Sequence, residues 1–182
     1  RFCVAGETEF CRRTRVIGAN SNGGYAEYVA VPAANVIVLP ESISYEQAAS
    51  LPTVFMPCWS IMIRKGQLKP WETALVLSAS SGVGTAAIQV AKNVVGARVI
   101  ATTSTEEKAV KARELGADEV INYSDEDITA RVKELTDGRG AELVLDHVGA
   151  DFFQAVGMIP MPVGDPKLIK LPPLVFEGRE HR

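Results

Sequence analysis

From residue 74 onward, two kinds of segment follow each other in a regular order. Short runs of consecutive apolar residues alternate with longer segments in which apolar residues recur every three or four positions. A continuous apolar run is typical of a parallel strand that is buried on both faces, whereas the longer spacing indicates a helix with one buried face. The runs predict four strands, at residues 74–77, 99–101, 120–121 and 143–145.

Three helices are predicted between these strands. The first follows a turn rich in serine and glycine and extends to about Val95. Ser104 is expected to cap the second helix, which Gly116 ends, and Ser124 is expected to cap the third, which Gly138 ends. Strand–helix alternation of this kind implies an α/β fold, with a doubly wound parallel sheet and right-handed crossovers.

The N-terminal part of the chain shows a different pattern. Residues 1–22 look like a loop, and the segments 25–31 and 36–39 have the composition of two short strands that end at Pro32 and Pro40. We therefore expect β structure before the first helix of the chain.

The spacing of Ser44 and Gln47 is typical of a capping box and predicts that the first helix begins there. An apolar segment follows, and it contains Pro52 and Pro57. Because proline lacks an amide hydrogen, we expect these residues to interrupt the helix before it resumes to about residue 63.

The end of the chain does not continue the alternation. Prolines are unusually dense in residues 158–182, and that density is expected to prevent both a helix and a central strand. We therefore predict an atypical, non-native tail over residues 157–182, outside the sheet. The prolines concerned are Pro160, Pro162, Pro166, Pro172 and Pro173.

Composition excludes several classes of protein. The chain has 182 residues, 47% of them hydrophobic and 23% charged, which is ordinary for a globular protein. A net charge of −3 argues against nucleic acid as a partner, and no apolar run approaches the length that spans a membrane. The three cysteines are too few for a secreted disulfide framework and favour a cytoplasmic location.

Small residues follow the first predicted strand. Ser81, Gly82, Val83 and Gly84 lie where that strand passes into a helix, and free amides at a helix N-terminus attract phosphate. The strict pattern of three glycines is not met, because Ala87 takes the last position. A tight turn without a ligand is the alternative interpretation.

The end of the second predicted strand bears on the choice of cofactor. NAD-binding folds place an acidic residue there, but this chain has Thr103 and Ser104, and Lys108 follows within one helical turn. The absence of a carboxylate at the strand end, together with Lys108, favours NADP(H), with NAD(H) as the alternative. The neighbouring Glu106 and Glu107 act against an anion. The alternative is that Ser104 only caps the helix and that Lys108 is a solvated surface charge.

The order of these motifs resembles the medium-chain dehydrogenase/reductase superfamily, and in particular its quinone oxidoreductase-like and zinc-containing alcohol dehydrogenase-like members. Matching segments run from about residue 3 to residue 156. They include Gly23-Gly24-Tyr25-Ala26-Glu27-Tyr28-Val29, ASSGVGTAAIQVAK at residues 79–92, Leu115-Gly116-Ala117-Asp118 and Asp146-x-x-Gly149.

The resemblance implies two domains. Residues 1–45 would be the end of a GroES-like β domain, and residues 46–156 would be part of a Rossmann-type domain that binds the nicotinamide cofactor. Members of the superfamily are about twice as long as this chain, so we expect a fragment of a longer, homo-oligomeric enzyme.

The resemblance raises the question of two metal sites, the structural zinc and the catalytic zinc of the family. Cys3 and Cys11 match the third and fourth ligands of the family's structural zinc, although on spacing alone they read as free thiols. A ligand of the catalytic zinc would align near Thr53, which binds zinc poorly, so we favour zinc-free chemistry. Cys58 is expected to be a small core residue.

The resemblance also implies a function. Tyr123 would join Ser104 and Lys108 around the adenosine phosphate, although a sheet-edge aromatic residue is the alternative for it. Val148 and His147 follow the fourth strand, where cofactors bind, and His147 reads as structural rather than catalytic. We expect hydride transfer between NADP(H) and a quinone, enone, carbonyl or alcohol. The alternative is a catalytically inactive nucleotide-binding or interaction module.

Overall fold

The computed structural model describes residues 15–149 and the backbone of residues 167–170. The chain divides into two compact units, Arg1–Ile43 and Ser44–Arg182. The predicted tail therefore lies outside the described residues, except for four of its positions. Within the described part of the chain, no helix combines the length and the apolar character needed to cross a bilayer.

The described part of the first unit contains little regular structure. It has one short 3₁₀ helix, Ala33–Asn35, and a single bridge between Ile17 and Ser21. The strands predicted at 25–31 and 36–39 are wrong. A strand needs hydrogen bonds from a neighbouring strand, and these two segments have none within the described residues, so their large apolar side chains remain exposed.

The second unit opens with helix α1, Tyr45–Trp59, which continues as a π-helical segment, Ser60–Lys65. The predicted capping box is confirmed, because Ser44 Oγ accepts from the Gln47 amide and Gln47 Oε1 accepts from the Ser44 amide. The predicted interruption is wrong. Pro52 and Pro57 both lie inside the continuous helix, which tolerates the loss of two amide donors.

Five parallel strands form one sheet in the order β3-β2-β1-β4-β5. This order confirms the Rossmann-type α/β class, since it is that of a doubly wound sheet. From β1 the chain continues to β2 and β3 on one side, whereas β4 pairs with β1 on the other side. In such a fold, a crevice lies beyond the carboxyl ends of β1 and β4, where the order of the strands reverses. The strands are β1 Thr73–Val76, β2 Arg98–Thr103, β3 Glu119–Asn122, β4 Leu143–Asp146 and β5 Lys167–Lys170.

Strand β5 corrects the expectation for the end of the chain. Lys167–Lys170 pairs in parallel with β4, in the register Leu143↔Lys167 to Asp146↔Lys170. The prediction that no residue after 157 belongs to the sheet is therefore wrong. The paired residues fall between Pro166 and Pro172, and β5 lies at the edge of the sheet, where flanking prolines cost no central hydrogen bond.

Three helices connect β1, β2, β3 and β4, and the caps predicted for two of them are wrong. Thr105, not Ser104, caps α3, and Asp127, not Ser124, caps α4. The true caps lie one and three residues further on, and one is again a hydroxyl, whereas the other is a carboxylate. The helices are α2 Gly82–Gln89, continued by a π-helical segment Val90–Val95, α3 Glu106–Glu114 and α4 Ile128–Leu135.

Two apolar clusters cover the two faces of the sheet. Alternate residues of β1 supply both, because Ala74 and Val76 belong to the cluster with α1 and α2, whereas Leu75 belongs to the cluster with α4. All four residues of β1 are buried. Complete burial of such aliphatic side chains contributes about 1.5–3 kcal/mol each, which holds the strand and the turn after it in place.

Candidate functional site

The turn after β1 is attached to the neighbouring strand. The Ser78 amide donates to Thr102 Oγ1 at 3.1 Å, and the Ala79 amide donates to the Thr102 carbonyl oxygen at 2.8 Å. Ser78 itself has a φ of 53°, in the left-handed region. The β1–α2 turn therefore has a fixed shape that β2 imposes on it.

Helix α2 begins directly at this turn. Ser81 caps it, since Ser81 Oγ accepts from the Gly84 amide at 2.9 Å and the Ser81 carbonyl oxygen accepts from Thr85 at 2.8 Å. The amides of Gly82 and Val83 have no acceptor among the described residues. No acidic residue stands in the first turn of the helix. Two open amides at the positive end of a helix favour an anion there.

Helix α1 packs behind this N-terminus. The Cys58 thiol donates to the Val83 carbonyl oxygen at 3.3 Å, and a Cβ atom placed on Gly82 would come within 2.9 Å of Val54 Cγ1. Cys58 is fully buried, as expected of a core residue, and burial raises the pKa of its thiol to about 11. The open amides are therefore backed by packed side chains on one side.

A hydrogen bond joins the turn to the end of β4. Ser81 Oγ lies 2.7 Å from His147 Nε2, between residues 66 positions apart. Asp146 holds the backbone around the ring, because its Oδ1 accepts from the amides of Val148 at 3.0 Å and Gly149 at 2.9 Å. The bond therefore joins the segments that follow β1 and β4, at the place where ligands bind in open α/β sheets.

The imidazole of His147 is held in its neutral form. Burial lowers the pKa of His147 below the ordinary 6.5, and the charge of Asp146 opposes this shift. Its Nδ1 is buried and has no partner among the described residues. At neutral pH the ring therefore carries one proton, and Nε2 is able either to accept from Ser81 or to donate to it.

A second polar group lies at the ends of β2 and β3. Lys108 Nζ lies 3.4 Å from Ser104 Oγ, and Ser124 Oγ donates to the Ser104 carbonyl oxygen at 3.0 Å. The Tyr123 amide donates to the Thr103 carbonyl oxygen at 2.9 Å. Since Thr105 supplies the cap of α3, the hydroxyl of Ser104 is not needed for that purpose.

Strand direction brings most of the predicted residues to one edge. Parallel strands share their carboxyl ends, so the α2 N-terminus, the Ser104 group and the β4 end all lie along the same edge of the sheet. Sequence reasoning placed His147 at the end of the fourth strand but did not pair it with Ser81, and it did not identify Thr102 as the partner of Ser78. Both contacts are recognisable only once the strand order is known. The predicted residues at this edge are Ser81, Gly82, Val83, Gly84, Thr103, Ser104, Lys108, Tyr123 and Val148.

The predicted zinc ligands, Cys3 and Cys11, lie outside the described residues. Over residues 15–149, no three acidic, cysteine or histidine side chains come together in an arrangement that could hold a metal ion.

A family model described as "Zinc-binding dehydrogenase" matches residues 82–160. Among curated proteins, the chain is 38% identical to the quinone oxidoreductase-like protein 2 homolog of Nematostella vectensis, over 81% of this chain and 40% of that protein. It is also 38% identical to the NAD-dependent alcohol dehydrogenase of Sulfurisphaera tokodaii, over 80% of this chain and 42% of the relative. The chain thus spans about 40% of the length of these relatives.

Two similar solved structures belong to the same two classes of protein, alcohol dehydrogenases and quinone oxidoreductases. A crystal structure of an NAD-dependent alcohol dehydrogenase superimposes with a TM-score of 0.83 at 43% identity, covering 88% of this chain and 47% of that one. The Escherichia coli quinone oxidoreductase complexed with NADPH gives a TM-score of 0.60 at 40% identity, over 65% of this chain and 36% of that one. Relatives of this chain therefore include proteins named for NAD and a structure solved with NADPH.

Proposed function

Because this chain belongs to the medium-chain dehydrogenase/reductase superfamily, we propose that it carries part of the cofactor domain of an NADP(H)-dependent oxidoreductase. The observation that carries this proposal is the pair of open amides on Gly82 and Val83, at the carboxyl edge of β1. Relatives named quinone oxidoreductase and NAD-dependent alcohol dehydrogenase support the same class of activity.

The described residues fit such a cofactor. The open amides of α2 offer hydrogen bonds to the pyrophosphate, and no carboxylate in the first helical turn opposes its charge. The hydroxyl of Thr103 and Nδ1 of His147 are buried polar atoms without a partner among the described residues. Both belong to residues at the carboxyl ends of strands, next to the proposed site.

We propose NADP(H) rather than NAD(H) from the group at the end of β2. Thr102, Thr103 and Ser104 occupy the positions where an acidic residue would bind ribose hydroxyls and repel a 2′-phosphate. Lys108 faces Ser104 across 3.4 Å, so its ammonium group stands where it could pair with that phosphate. Tyr123 is proposed to border the same adenosine site.

The bound nicotinamide would supply the hydride donor or acceptor. The chain's own residues would orient the cofactor: the α2 amides hold the pyrophosphate, and the backbone of Val148 lies at the end of β4, where the nicotinamide side would run. The substrate proposed is a small quinone, enone, other carbonyl compound or alcohol. The complete protein is proposed to be a cytoplasmic homo-oligomeric enzyme.

The proposed domains are the end of a GroES-like domain over residues 1–45 and a partial Rossmann domain over residues 46–156. Cys3 and Cys11 are proposed as two of the four ligands of a structural zinc in the complete protein, since such a site requires four. No part of the proposed cofactor binding depends on this zinc.

Titration of the purified chain with NADPH and with NADH, followed by nicotinamide fluorescence, tests the proposal. We expect NADPH to bind more tightly, and Lys108→Ala to weaken NADPH by about tenfold, as for the loss of a charged hydrogen bond, while NADH is unaffected. Lys111→Ala is the matched control, because Lys111 lies one turn further along α3 and pairs with Glu107 at 2.8 Å. Absence of binding by both nucleotides contradicts the proposal.

Turnover separates the two functional alternatives. If the chain binds NADPH but does not reduce a small naphthoquinone, while a longer protein that includes it does, the chain is the cofactor part of an enzyme. If the longer protein also binds NADPH without turnover, the inactive nucleotide-binding module is the correct description.

A further inference from the structure

The hydrogen bond between Ser81 and His147 links a titratable ring to the site proposed for the pyrophosphate. Ser81 Oγ has one hydrogen to donate and two lone pairs. One lone pair accepts from the Gly84 amide at 2.9 Å, and the 2.7 Å contact to His147 Nε2 takes either the hydrogen or the second lone pair. In the neutral tautomer that carries its hydrogen on Nδ1, Nε2 takes the serine hydrogen, whereas in the protonated ring the contact takes the second lone pair.

A neutral imidazole is able to accept the Ser81 hydrogen at Nε2. A protonated imidazole is not, because Nε2 then carries its own hydrogen and donates it to Ser81 Oγ. Both lone pairs of the serine oxygen are then occupied, by Gly84 and by His147. The serine hydrogen is released and becomes available to an acceptor beside the open amides of Gly82 and Val83.

Resting on the proposed function, we propose that His147 is a positioning residue: a proton taken up by its ring turns the Ser81 hydroxyl from a donor to His147 into a donor to the cofactor's pyrophosphate. Binding of the anion and protonation of the ring then favour each other. The proton comes from solvent, and no covalent bond changes.

Few other charges act on this ring. The β1–α2 turn and the first turn of α2 contain no titratable residue, and β1 contains none. On β4 the charge of Asp146 acts on the ring, although its Oδ1 is occupied by the amides of Val148 and Gly149. On β5, Lys170 is in register with Asp146. A bound anion is therefore a large addition to the local charge.

The sign of the effect follows from the state of the free chain. Burial lowers the pKa of His147, so the ring is neutral at pH 7 without a ligand. An anion nearby raises the pKa, so binding takes up a proton and the affinity increases as the pH falls. Since one proton is involved, the affinity changes by at most about tenfold for each pH unit.

ADP-ribose is the probe, because it contains the pyrophosphate but no phosphomonoester, whose own second pKa near 6 would confuse the result for NADPH. Calorimetric titration of the whole chain between pH 6 and pH 8, in two buffers of different ionisation enthalpy, measures both affinity and proton uptake. We expect severalfold tighter binding at pH 6 than at pH 8, with uptake of up to one proton.

His147→Gln is the informative variant, since the glutamine Nε2 lies the same number of bonds from Cα as the histidine Nε2 but does not titrate. It should bind ADP-ribose with no pH dependence, whereas His147→Leu should bind more weakly at every pH. Circular dichroism and thermal melting verify that both variants fold. If either fails to fold, proton uptake by the unaltered chain still decides the question.

Two outcomes overturn the inference alone. One is tight binding of ADP-ribose by the unaltered chain with a flat pH profile and no proton uptake. The other is a pH dependence that persists unchanged in His147→Gln. If neither ADP-ribose nor NADPH binds at any pH, the proposed function fails and the inference fails with it.

Discussion

Thr102 and Thr103 are neighbours at the end of β2 and are almost equally buried, yet only Thr102 has a partner for its hydroxyl among the described residues. Successive residues of a strand point to opposite faces, so the two hydroxyls meet different surroundings. Thr102 accepts the Ser78 amide and supports the β1–α2 turn. The hydroxyl of Thr103 is buried with no compensating bond.

Replacing each threonine by valine separates these roles. Thr103→Val removes an unpartnered hydroxyl while keeping the shape, so stability should be unchanged or higher. Thr102→Val leaves the Ser78 amide without an acceptor and should lower the free energy of unfolding by about 1–3 kcal/mol. Urea denaturation measures both. Equal effects of the two substitutions would show that the hydroxyls do not differ as described.

Gly84 is required by a close backbone approach. A Cβ atom there would lie 2.2 Å from the Ser78 carbonyl oxygen, which cannot move without displacing the turn. We expect Gly84→Ala to destabilise the chain by about 1–3 kcal/mol, as overpacking does. Gly82→Ala is the control, because its nearest neighbour is a methyl group of Val54 at 2.9 Å, which can rotate away. Thermal melting should rank the two variants in that order.

The ion pair of Lys92 and Asp118 should make stability depend on pH. Burial raises the pKa of Asp118, but the hydrogen bonds from Lys92 and Val99 and the charges of Lys92 and Arg98 lower it by more, to a value below the ordinary 3.8. Its stabilising effect is therefore present above about pH 4 and is lost as the pH falls through the lower folded-state pKa.

Asp118→Asn tests this dependence, because the amide oxygen still accepts from Val99 while the ion pair is lost. About a third of each side chain is exposed, so we expect a loss of only about 0.5–1 kcal/mol at pH 6, which disappears at strongly acidic pH. Urea denaturation at several pH values measures it. A difference that stays constant down to the most acidic pH would contradict the assignment.

Cys58 should be chemically inert in the folded chain. Burial raises the pKa of its thiol from 9.0 to about 11, which reduces the thiolate fraction at pH 8 by about a hundredfold. In a background of Cys3→Ser and Cys11→Ser, reaction with a disulfide reagent should be slow in buffer and immediate in denaturant. Fast reaction of the folded chain would show that the thiol is not buried against α2 as described.

Much of the sheet could be predicted because strands β1, β2 and β4 are buried on both faces. The runs around Leu75, Ile100, Ile121 and Val144 are apolar without interruption, and local pattern suffices for them. Strand β5 is not predicted, because it has only four residues and prolines lie on both sides of it. The strands expected before residue 40 were wrong because a strand depends on partners, which local pattern does not reveal.

The candidate site could be predicted only where one segment contains it. The turn around Gly82 is visible in the sequence, since its glycines and cap are adjacent. The cap positions at Thr105 and Asp127 were misassigned because suitable side chains cluster there. The contact of Ser81 with His147 joins residues 66 positions apart, so it depends on the order of β1 and β4 and on nothing local.

The central position of β1 also determines which strands of the sheet open first to solvent. Hydrogen-bonded to β2 on one side and β4 on the other, with every residue buried, β1 exposes its amides to solvent only when the whole unit opens. Strands β3 and β5 at the edges open at lower cost. In hydrogen exchange, the amides of β1 should therefore be the slowest, so that the β1–α2 turn is attached to the most rigid strand of the sheet while the edge strands open more readily.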